Sequence, residues 1–222
     1  FRSPSLSEMF LQYESDYGLN TQGNPELKPE QLYGLDIAYN KSNFKNVSFA
    51  LSTFYYKYED MIDFVYGLPV IALNRSDINS YGFESNTNYK INNNLNISLG
   101  YSYLRVNDIE NIDPILYRPR HKIVTSFKHK KDKISHNILI KYQSEQDYQD
   151  FLSDDREYEG SEIRFPINQL ENLLLVNYIG SYQMKNGELS LKFSNIFDKK
   201  YELIQDFPMP GRTFNIVYEI SF

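Results

Sequence analysis

The feature that most constrains this fold is an apolar–polar alternation at every second residue, which recurs in segments along the whole chain. Residues 213–222 show it best, because Phe214, Ile216 and Tyr218 share one face while Asn215 and other residues of the segment take the opposite one. Alternation of this kind predicts a β-strand with one apolar and one polar face. We predict about nine such strands of about ten residues each.

The connections between these segments alternate strictly in length. Short turns rich in Lys and Asn are predicted at 41–45, 90–94, 130–133 and 185–187, and long connections at 60–77, 107–120, 144–168 and 195–212. A soluble sandwich or a lipocalin-type barrel gives no reason to place every long connection at one end. A transmembrane β-barrel has short periplasmic turns and longer extracellular loops. The order therefore predicts an all-β, antiparallel transmembrane barrel in the outer membrane of a Gram-negative bacterium.

The amino-acid composition argues against several other classes of protein. The mean hydropathy is −0.54 and 23% of the residues are charged, so no run approaches the roughly 18 apolar residues of a membrane-spanning helix. The net charge of −6 argues against a nucleic-acid partner. Aromatic residues make up 16% of the chain, and those near strand ends suit interfacial girdles, although Tyr and Phe are frequent in any strand.

The chain has no cysteine and three histidines, which leaves little catalytic or metal-binding chemistry. His136 between Ser135 and Asn137 is the nearest approach to a catalytic triplet, but neighbours in a strand face opposite sides, so we expect no enzyme activity. His129 could meet His136 across a hairpin and bind a metal. Interfacial histidines beside a periplasmic turn are the alternative interpretation.

The two ends of the chain predict a fragment. It begins at Phe1 without an initiator Met, and its last strand runs to Phe222. Single-chain bacterial barrels have an even number of strands, and two unpaired sheet edges are not tolerated in lipid. We therefore expect further strands to precede Phe1 and to complete the barrel.

Three stretches carry a resemblance to a known family: Phe1-Arg2-Ser3-Pro4-Ser5-Leu6-Ser7-Glu8, Gly23-Asn24-Pro25-Glu26-Leu27-Lys28-Pro29-Glu30, and Asn195-Ile196-Phe197-Asp198-Lys199-Lys200-Tyr201 running through Pro208-Met209-Pro210-Gly211-Arg212 into the last strand. Together they resemble the C-terminal portion of a TonB-dependent outer-membrane receptor. This class includes siderophore, cobalamin and haem receptors.

The resemblance implies that residues 1–222 form roughly strands 14 to 22 of a 22-stranded barrel. The plug domain, the TonB-contacting box and the earlier strands would lie outside this chain. The implied function is binding of a scarce large nutrient, such as a ferric siderophore, cobalamin or a similar metal chelate, and import with energy transmitted by TonB. The implied partners are outer-membrane lipid, the plug with the remaining strands, TonB and the ligand. A passive porin-like or structural surface barrel is the alternative.

A haem receptor is a further alternative. Haem receptors resemble this chain in pairing a Phe-Arg-Ala-Pro motif with an Asn-Pro-Asp/Asn-Leu motif, with a haem-ligating His between the two. Here Ser3 replaces the Ala and no His lies between Phe1 and Leu27, so axial ligation would depend on Tyr13 or Tyr17.

Each motif also has a structural interpretation. Pro25 and Pro29 favour an extended backbone and Gly23 permits a sharp turn. Asn195 and Asp198 can bond local backbone groups and stop a strand. The terminal aromatic Phe222 resembles the residue that the barrel-assembly machinery of the family reads, and is equally compatible with a girdle position.

The connection from Glu145 to Glu162 carries eight acidic residues and one Arg. Its oxygen density is compatible with Ca²⁺, which takes six to eight oxygen ligands. The candidate ligands are Asp150, Asp154, Asp155 and Glu157. A solvated acidic loop, or a docking patch for a surface partner such as a lipoprotein, is the alternative, and no other cofactor is expected.

Contacts to a transported ligand are expected from aromatic and polar residues of the long connections. The candidates are Tyr13, Tyr17, Tyr66, Arg75, Tyr148, Phe151, Tyr158 and Phe207.

Overall fold

The computed structural model describes residues 1–14, 20–65, 69–75, 77–108, 115–150, 153–155, 157–159 and 162–220. The elements in chain order are α1 (Leu6–Phe10), β1 (Gln12–Tyr13), β2 (Thr21–Gln22), β3 (Gln31–Phe44), β4 (Val47–Glu59), β5 (Ile62–Val65), β6 (Val70–Asn74), β7 (Ile78–Lys90), β8 (Leu95–Asp108), β9 (His121–Lys131), β10 (Ile134–Gln143), β11 (Gln146–Gln149), β12 (Glu157–Glu159), β13 (Glu162–Arg164), β14 (Ile167–Leu170), β15 (Leu173–Met184), β16 (Gly187–Ser194) and β17 (Thr213–Ile220). No helix in the described ranges is long and apolar enough to cross a membrane.

Nine long strands form one sheet, which we call the wall. Its order is β17-β16-β15-β10-β9-β8-β7-β4-β3, and every neighbouring pair is antiparallel. The predicted number of strands is confirmed. β3 and β17 are the two edges of the sheet, so the wall is an open segment of a barrel.

Tight turns join the wall strands at one end. They lie between β3 and β4, β7 and β8, β9 and β10, and β15 and β16, which confirms the predicted short connections. Lys45 and Asn46 both have positive φ, 47° and 67°, the backbone twist that closes a two-residue hairpin. In the second turn the Asn92 side chain accepts hydrogen bonds from the Asn94 and Leu95 amides, at 2.8 and 2.9 Å.

The two faces of the wall differ as the alternation predicts. One register row runs across five strands through Phe127, Ile138, Tyr178, Phe193 and Phe214. Its members on β9 and β10 are 37% and 39% exposed, and the one on β17 is 52% exposed, so this apolar face is bare in the isolated chain. A face of this kind suits lipid.

The opposite face of the wall is polar. Ser126 donates to the Asn137 side chain at 2.9 Å across β9 and β10, and the hydroxyls of Ser181 and Ser190 lie 2.8 Å apart across β15 and β16. The buried apolar side chains lie elsewhere, in the long connections or at the adjoining strand ends. They are Leu27, Ile62, Val70, Ala72, Ile78, Tyr148, Phe165 and Leu173.

Candidate ligand-binding mouth

The segments opposite the tight turns form a second structural region, which we call the mouth. It consists of the described residues of 1–30, 60–77, 109–120, 144–172 and 195–212. Three small sheets are built from these segments, with strand orders β1-β2-β6-β5, β11-β14 and β12-β13. The sequence predicted long connections here but not their strands.

The first small sheet joins the start of the chain to the connection between β4 and β7. β2 runs parallel to β6, with Thr21 opposite Val70, and β6 pairs with β5 as an antiparallel hairpin. Leu27 packs with Ile62 and Ala72 in a small buried core, against which Phe64 lies. The apolar residue of the Asn-Pro-Glu-Leu motif therefore anchors the motif to the hairpin.

Asn74 fixes the same motif through hydrogen bonds. Its side-chain oxygen accepts from the Lys28 amide at 2.8 Å, and its side-chain nitrogen donates to the carbonyls of Lys28 at 3.0 Å and Asp60 at 2.8 Å. One side chain thus holds two segments that are 46 residues apart in sequence.

Gly23 is required by a close backbone approach. Its amide donates to the Leu11 carbonyl at 2.6 Å, and a Cβ at this position would lie 2.7 Å from backbone atoms of Met9 and Phe10. Only glycine fits where the motif crosses the end of α1. The helix itself begins with a capping box, in which Ser5 and Glu8 exchange hydrogen bonds.

Arg2 joins the first two family motifs. Its guanidinium binds both carboxylate oxygens of Glu30, at 2.8 and 3.0 Å, and both of Glu8, at 2.9 and 3.0 Å. The backbones of Arg2 and Glu30 also exchange two hydrogen bonds. Glu30 further accepts from the Ile62 amide at 3.2 Å, so the cluster reaches the hairpin. We call Arg2, Glu8 and Glu30 the arginine clamp.

The clamp favours the charged form of both carboxylates. The hydrogen bond from Arg2 holds the pKa of Glu30 below its usual range, although burial opposes it. For Glu8, burial acts to raise the pKa, but hydrogen bonds from Ser5 and Arg2 outweigh it and the pKa lies below its usual range.

The connection between β10 and β15 forms a second unit of the mouth. β11 pairs with β14, and Tyr148 on β11 is buried. The Gln146 side chain donates to the Leu203 carbonyl at 2.9 Å, which ties this unit to the last long connection.

The acidic residues of this connection are spread along it. Asp150 follows β11, Asp154 and Asp155 lie in the short segment 153–155, and Glu157 begins β12. The Asp155 amide donates to the Ser153 hydroxyl at 3.1 Å. Within the described ranges, no three His, Asp or Glu side chains are grouped to hold a metal ion.

The third motif ends β16 as its residue types predict. Asn195 has a positive φ of 49° and is buried, its amide donates to the Asn177 side chain at 2.8 Å, and its own side chain exchanges hydrogen bonds with the Lys199 backbone. The Asp198 side chain accepts from the Arg212 amide at 2.6 Å, which closes the last long connection onto the start of β17.

Of the candidate ligand contacts that the structure describes, two are exposed and two are buried or mostly buried. Tyr13 is 59% exposed and lines a cleft of about 420 Å³ with neighbouring residues of β1 and β2, and Phe207 is 68% exposed on the last connection. Tyr148 is buried. Arg75 is mostly buried between carboxylates, with Nε 2.8 Å from Asp63 and Nη1 3.4 Å from Asp108, so it ties the β5–β6 hairpin to β8.

Several sequence candidates lie outside the described residues. They are Tyr17, Tyr66, Phe151, the side chain of Tyr158, and Phe222. The sequence in turn overlooked Arg2, Glu30 and Asn74 as the residues that organise the mouth. Arg2 and Glu30 are charged residues within the first two family motifs, but no sequence pattern indicated that these two motifs meet.

A family model described as TonB dependent receptor-like, beta-barrel matches residues 1–196. The chain belongs to the TonB-dependent receptor family. This is a family of transporters and receptors, and its barrels are outer-membrane proteins of Gram-negative bacteria. A comparison with curated proteins gave no match.

Solved structures of the family share this fold. The copper transporter OprC aligns at a TM-score of 0.79 with 19% identity over 100% of this chain and 35% of its own. The siderophore receptor PirA from Acinetobacter baumannii aligns at 0.72 with 18% identity, over 92% of this chain and 33% of its own. The pyoverdine receptor FpvA from Pseudomonas aeruginosa PAO1 aligns at 0.70 with 14% identity, over 96% of this chain and 33% of its own. The chain thus spans about a third of each receptor.

Proposed function

We propose that the receptor containing this wall and mouth binds a scarce metal chelate on the extracellular side and imports it with energy transmitted by TonB. The observation that carries the proposal is the family match over residues 1–196. The structural neighbours support the ligand class, because their names include a copper transporter, a siderophore receptor and a ferric enterobactin receptor. Cobalamin and haem are alternative ligands within the same mechanism.

The mouth supports a receptor rather than a passive pore. The arginine clamp, Asn74 and Gln146 tie described residues of these segments to one another, which favours a preformed surface. A preformed surface binds a ligand with a smaller entropic penalty than mobile loops do. The plug and TonB would act from outside this chain.

The full receptor in living cells tests the proposal. Uptake of radiolabelled ferric enterobactin, ferripyoverdine, copper and cobalamin would be compared in cells with and without TonB, and after collapse of the proton gradient. We expect uptake of one probe to disappear in both treatments while its surface binding persists. Uptake that continued without TonB would instead establish a passive barrel.

Tyr13 is the described candidate best placed to touch the ligand. Replacement by Ala removes an exposed aromatic ring from the cleft, and we expect roughly tenfold weaker binding of the imported probe, equivalent to about 1.4 kcal/mol. Tyr89→Ala is the matched control, because Tyr89 is also exposed, at 45%, but lies beside the tight turn between β7 and β8, at the end of the wall away from the mouth. Equal binding by the two variants would exclude Tyr13 from the ligand site.

A further inference from the structure

The turn between β9 and β10 differs chemically from the other tight turns of the wall. Residues 128–133 contain four lysines and one aspartate in a chain whose net charge is −6. His129 and His136 flank the turn and lie directly opposite each other in the register. Each of the other three tight turns has at most two lysines and no histidine.

The basic side chains divide between the two faces of the wall, because Lys128 and Lys130 take the polar face with Ser126, whereas both histidines and Lys131 take the lipid-facing side. His129 and His136 share the face of Phe127 and Ile138, and Lys131 lies opposite Ile134 at the end of the same face. The two imidazole rings are nearly parallel, with centroids 6.1 Å apart and planes at 11°. His136 Nδ1 lies 2.7 Å from the Tyr178 hydroxyl, which orients the ring.

These residues enclose a cleft of about 460 Å³ at the surface of the wall. It is lined by both histidines, Lys131, Asp132, Lys133, Ile134 and Tyr182. Its two lysines outnumber its one aspartate, so the cleft combines a net positive charge and imidazole hydrogen-bonding groups with an apolar floor. Beyond it, Phe127 and Ile138 continue the exposed apolar face away from the turn.

We infer that this cleft binds the phosphate of an anionic phospholipid of the periplasmic leaflet. The tight turns of such a barrel lie on the periplasmic side. Lys131 and Lys133 supply the charge, and a histidine ring nitrogen donates to a phosphate oxygen. The acyl chains lie along Phe127 and Ile138, a contact that free phosphate cannot make. The inference depends on the barrel being in a membrane and not on ligand import.

Lipid retention by the purified full receptor tests the inference. The receptor in detergent would be titrated with dimyristoyl phosphatidylglycerol, dimyristoyl phosphatidylcholine or inorganic phosphate, and bound molecules counted by native mass spectrometry. We expect preferential retention of phosphatidylglycerol. K131Q/K133Q should weaken it by about 25-fold, because each lysine near an anionic lipid contributes about fivefold. K41Q/K45Q removes two lysines from another tight turn and should leave retention unchanged.

Folding of each variant is checked by the mobility shift of unheated samples in gel electrophoresis. Equal retention of both lipids by the unaltered receptor would overturn the inference, as would equal effects of the two double variants. Inorganic phosphate that bound as tightly as the lipid would also overturn it, because the apolar stripe would then contribute nothing. Nutrient uptake by K131Q/K133Q is expected to remain normal, which separates this inference from the proposed function.

Discussion

The wall and the mouth are stabilised in different ways. In the wall, each strand pairs with its neighbour through a long ladder, with one register shift between Lys41 and Phe44 in the pair of β3 and β4, and the side chains alternate between lipid and a polar interior. In the mouth, the strands are two to five residues long and individual side chains join distant segments. Arg2 reaches Glu30, Lys28 meets Asn74, and Gln146 meets Leu203.

This difference determines which substitutions each region tolerates. A wall position is constrained mainly by the side of the sheet that it faces, so residues of similar polarity can replace one another. A mouth position such as Asn74 or Gly23 is constrained by particular partners, and no residue of similar polarity reproduces its contacts. The predictions below separate the two behaviours.

The largest effect is expected from a charge on the lipid face of the wall. Leu99 is 46% exposed in the isolated chain and pairs with Thr87 and Thr125 on its two sides. Leu99→Arg should destabilise the folded receptor by about 2–4 kcal/mol in a bilayer, because an arginine near the midplane is poorly solvated. Urea titration of the full receptor in lipid vesicles measures the loss.

Ser98→Arg is the matched control, one residue away on the polar face, where Ser98 pairs with Asn88 and Ser126. We expect a change of less than about 1 kcal/mol there, because this face is wet. Equal destabilisation by the two variants would contradict the assignment of the faces.

The wall was predictable because its information is local. Alternation at every second residue fixes which face each side chain takes, and the tight turns at Lys45 and Asp132 mark where the chain reverses. The strand count, the order of connections and the lipid-facing row through Phe127 and Ile138 all follow from these two signals. The ends of strands were less exact, since β3 and β8 are longer than the predicted ten or so residues.

The mouth was predictable only in its local turns. Asn195 bonds the nearby backbone of Lys199, as its side chain predicts, whereas Asp198 accepts from the Arg212 amide, which is 14 residues away. The arginine clamp joins residues 28 positions apart, and periodicity carries no information about such a contact. The resemblance identified both motifs that meet in the clamp, but not their pairing or the burial of Tyr148.

A smaller effect is expected when the clamp is broken. Arg2→Met removes the charged hydrogen bonds to Glu8 and Glu30, and because Arg2 is 45% exposed we expect only about 1–2 kcal/mol of local destabilisation. Protease cleavage within residues 1–30 of this chain, measured in the full receptor on intact cells, should accelerate roughly tenfold. The urea midpoint of the wall should not move.

Lys199→Met is the matched control for the clamp. Lys199 binds Glu171 at 3.0 Å, but the Glu171 side chain is 84% exposed, and such pairs contribute little. We expect its protease sensitivity to match that of the unaltered receptor. Acceleration equal to that of Arg2→Met would show that the clamp is no more than a surface ion pair.

The smallest effect is a pH dependence confined to the mouth. The pKa values of Glu8 and Glu30 are lowered from an ordinary value of 4.5 by their partners in the clamp. A lowered pKa contributes stability that is fully present above the ordinary value and is lost as the pH falls through the folded value. Amide hydrogen exchange around Ile62, whose amide binds Glu30, should therefore accelerate in the unaltered receptor as the pH falls below about 4.5. In Arg2→Met, measured at the same pH values, we expect this pH dependence to be weaker. The exchange rate of a wall amide such as that of Ile140 corrects for the chemical dependence of exchange on pH. If the Ile140 amide accelerated as much as the Ile62 amide, the titrating group would lie outside the clamp.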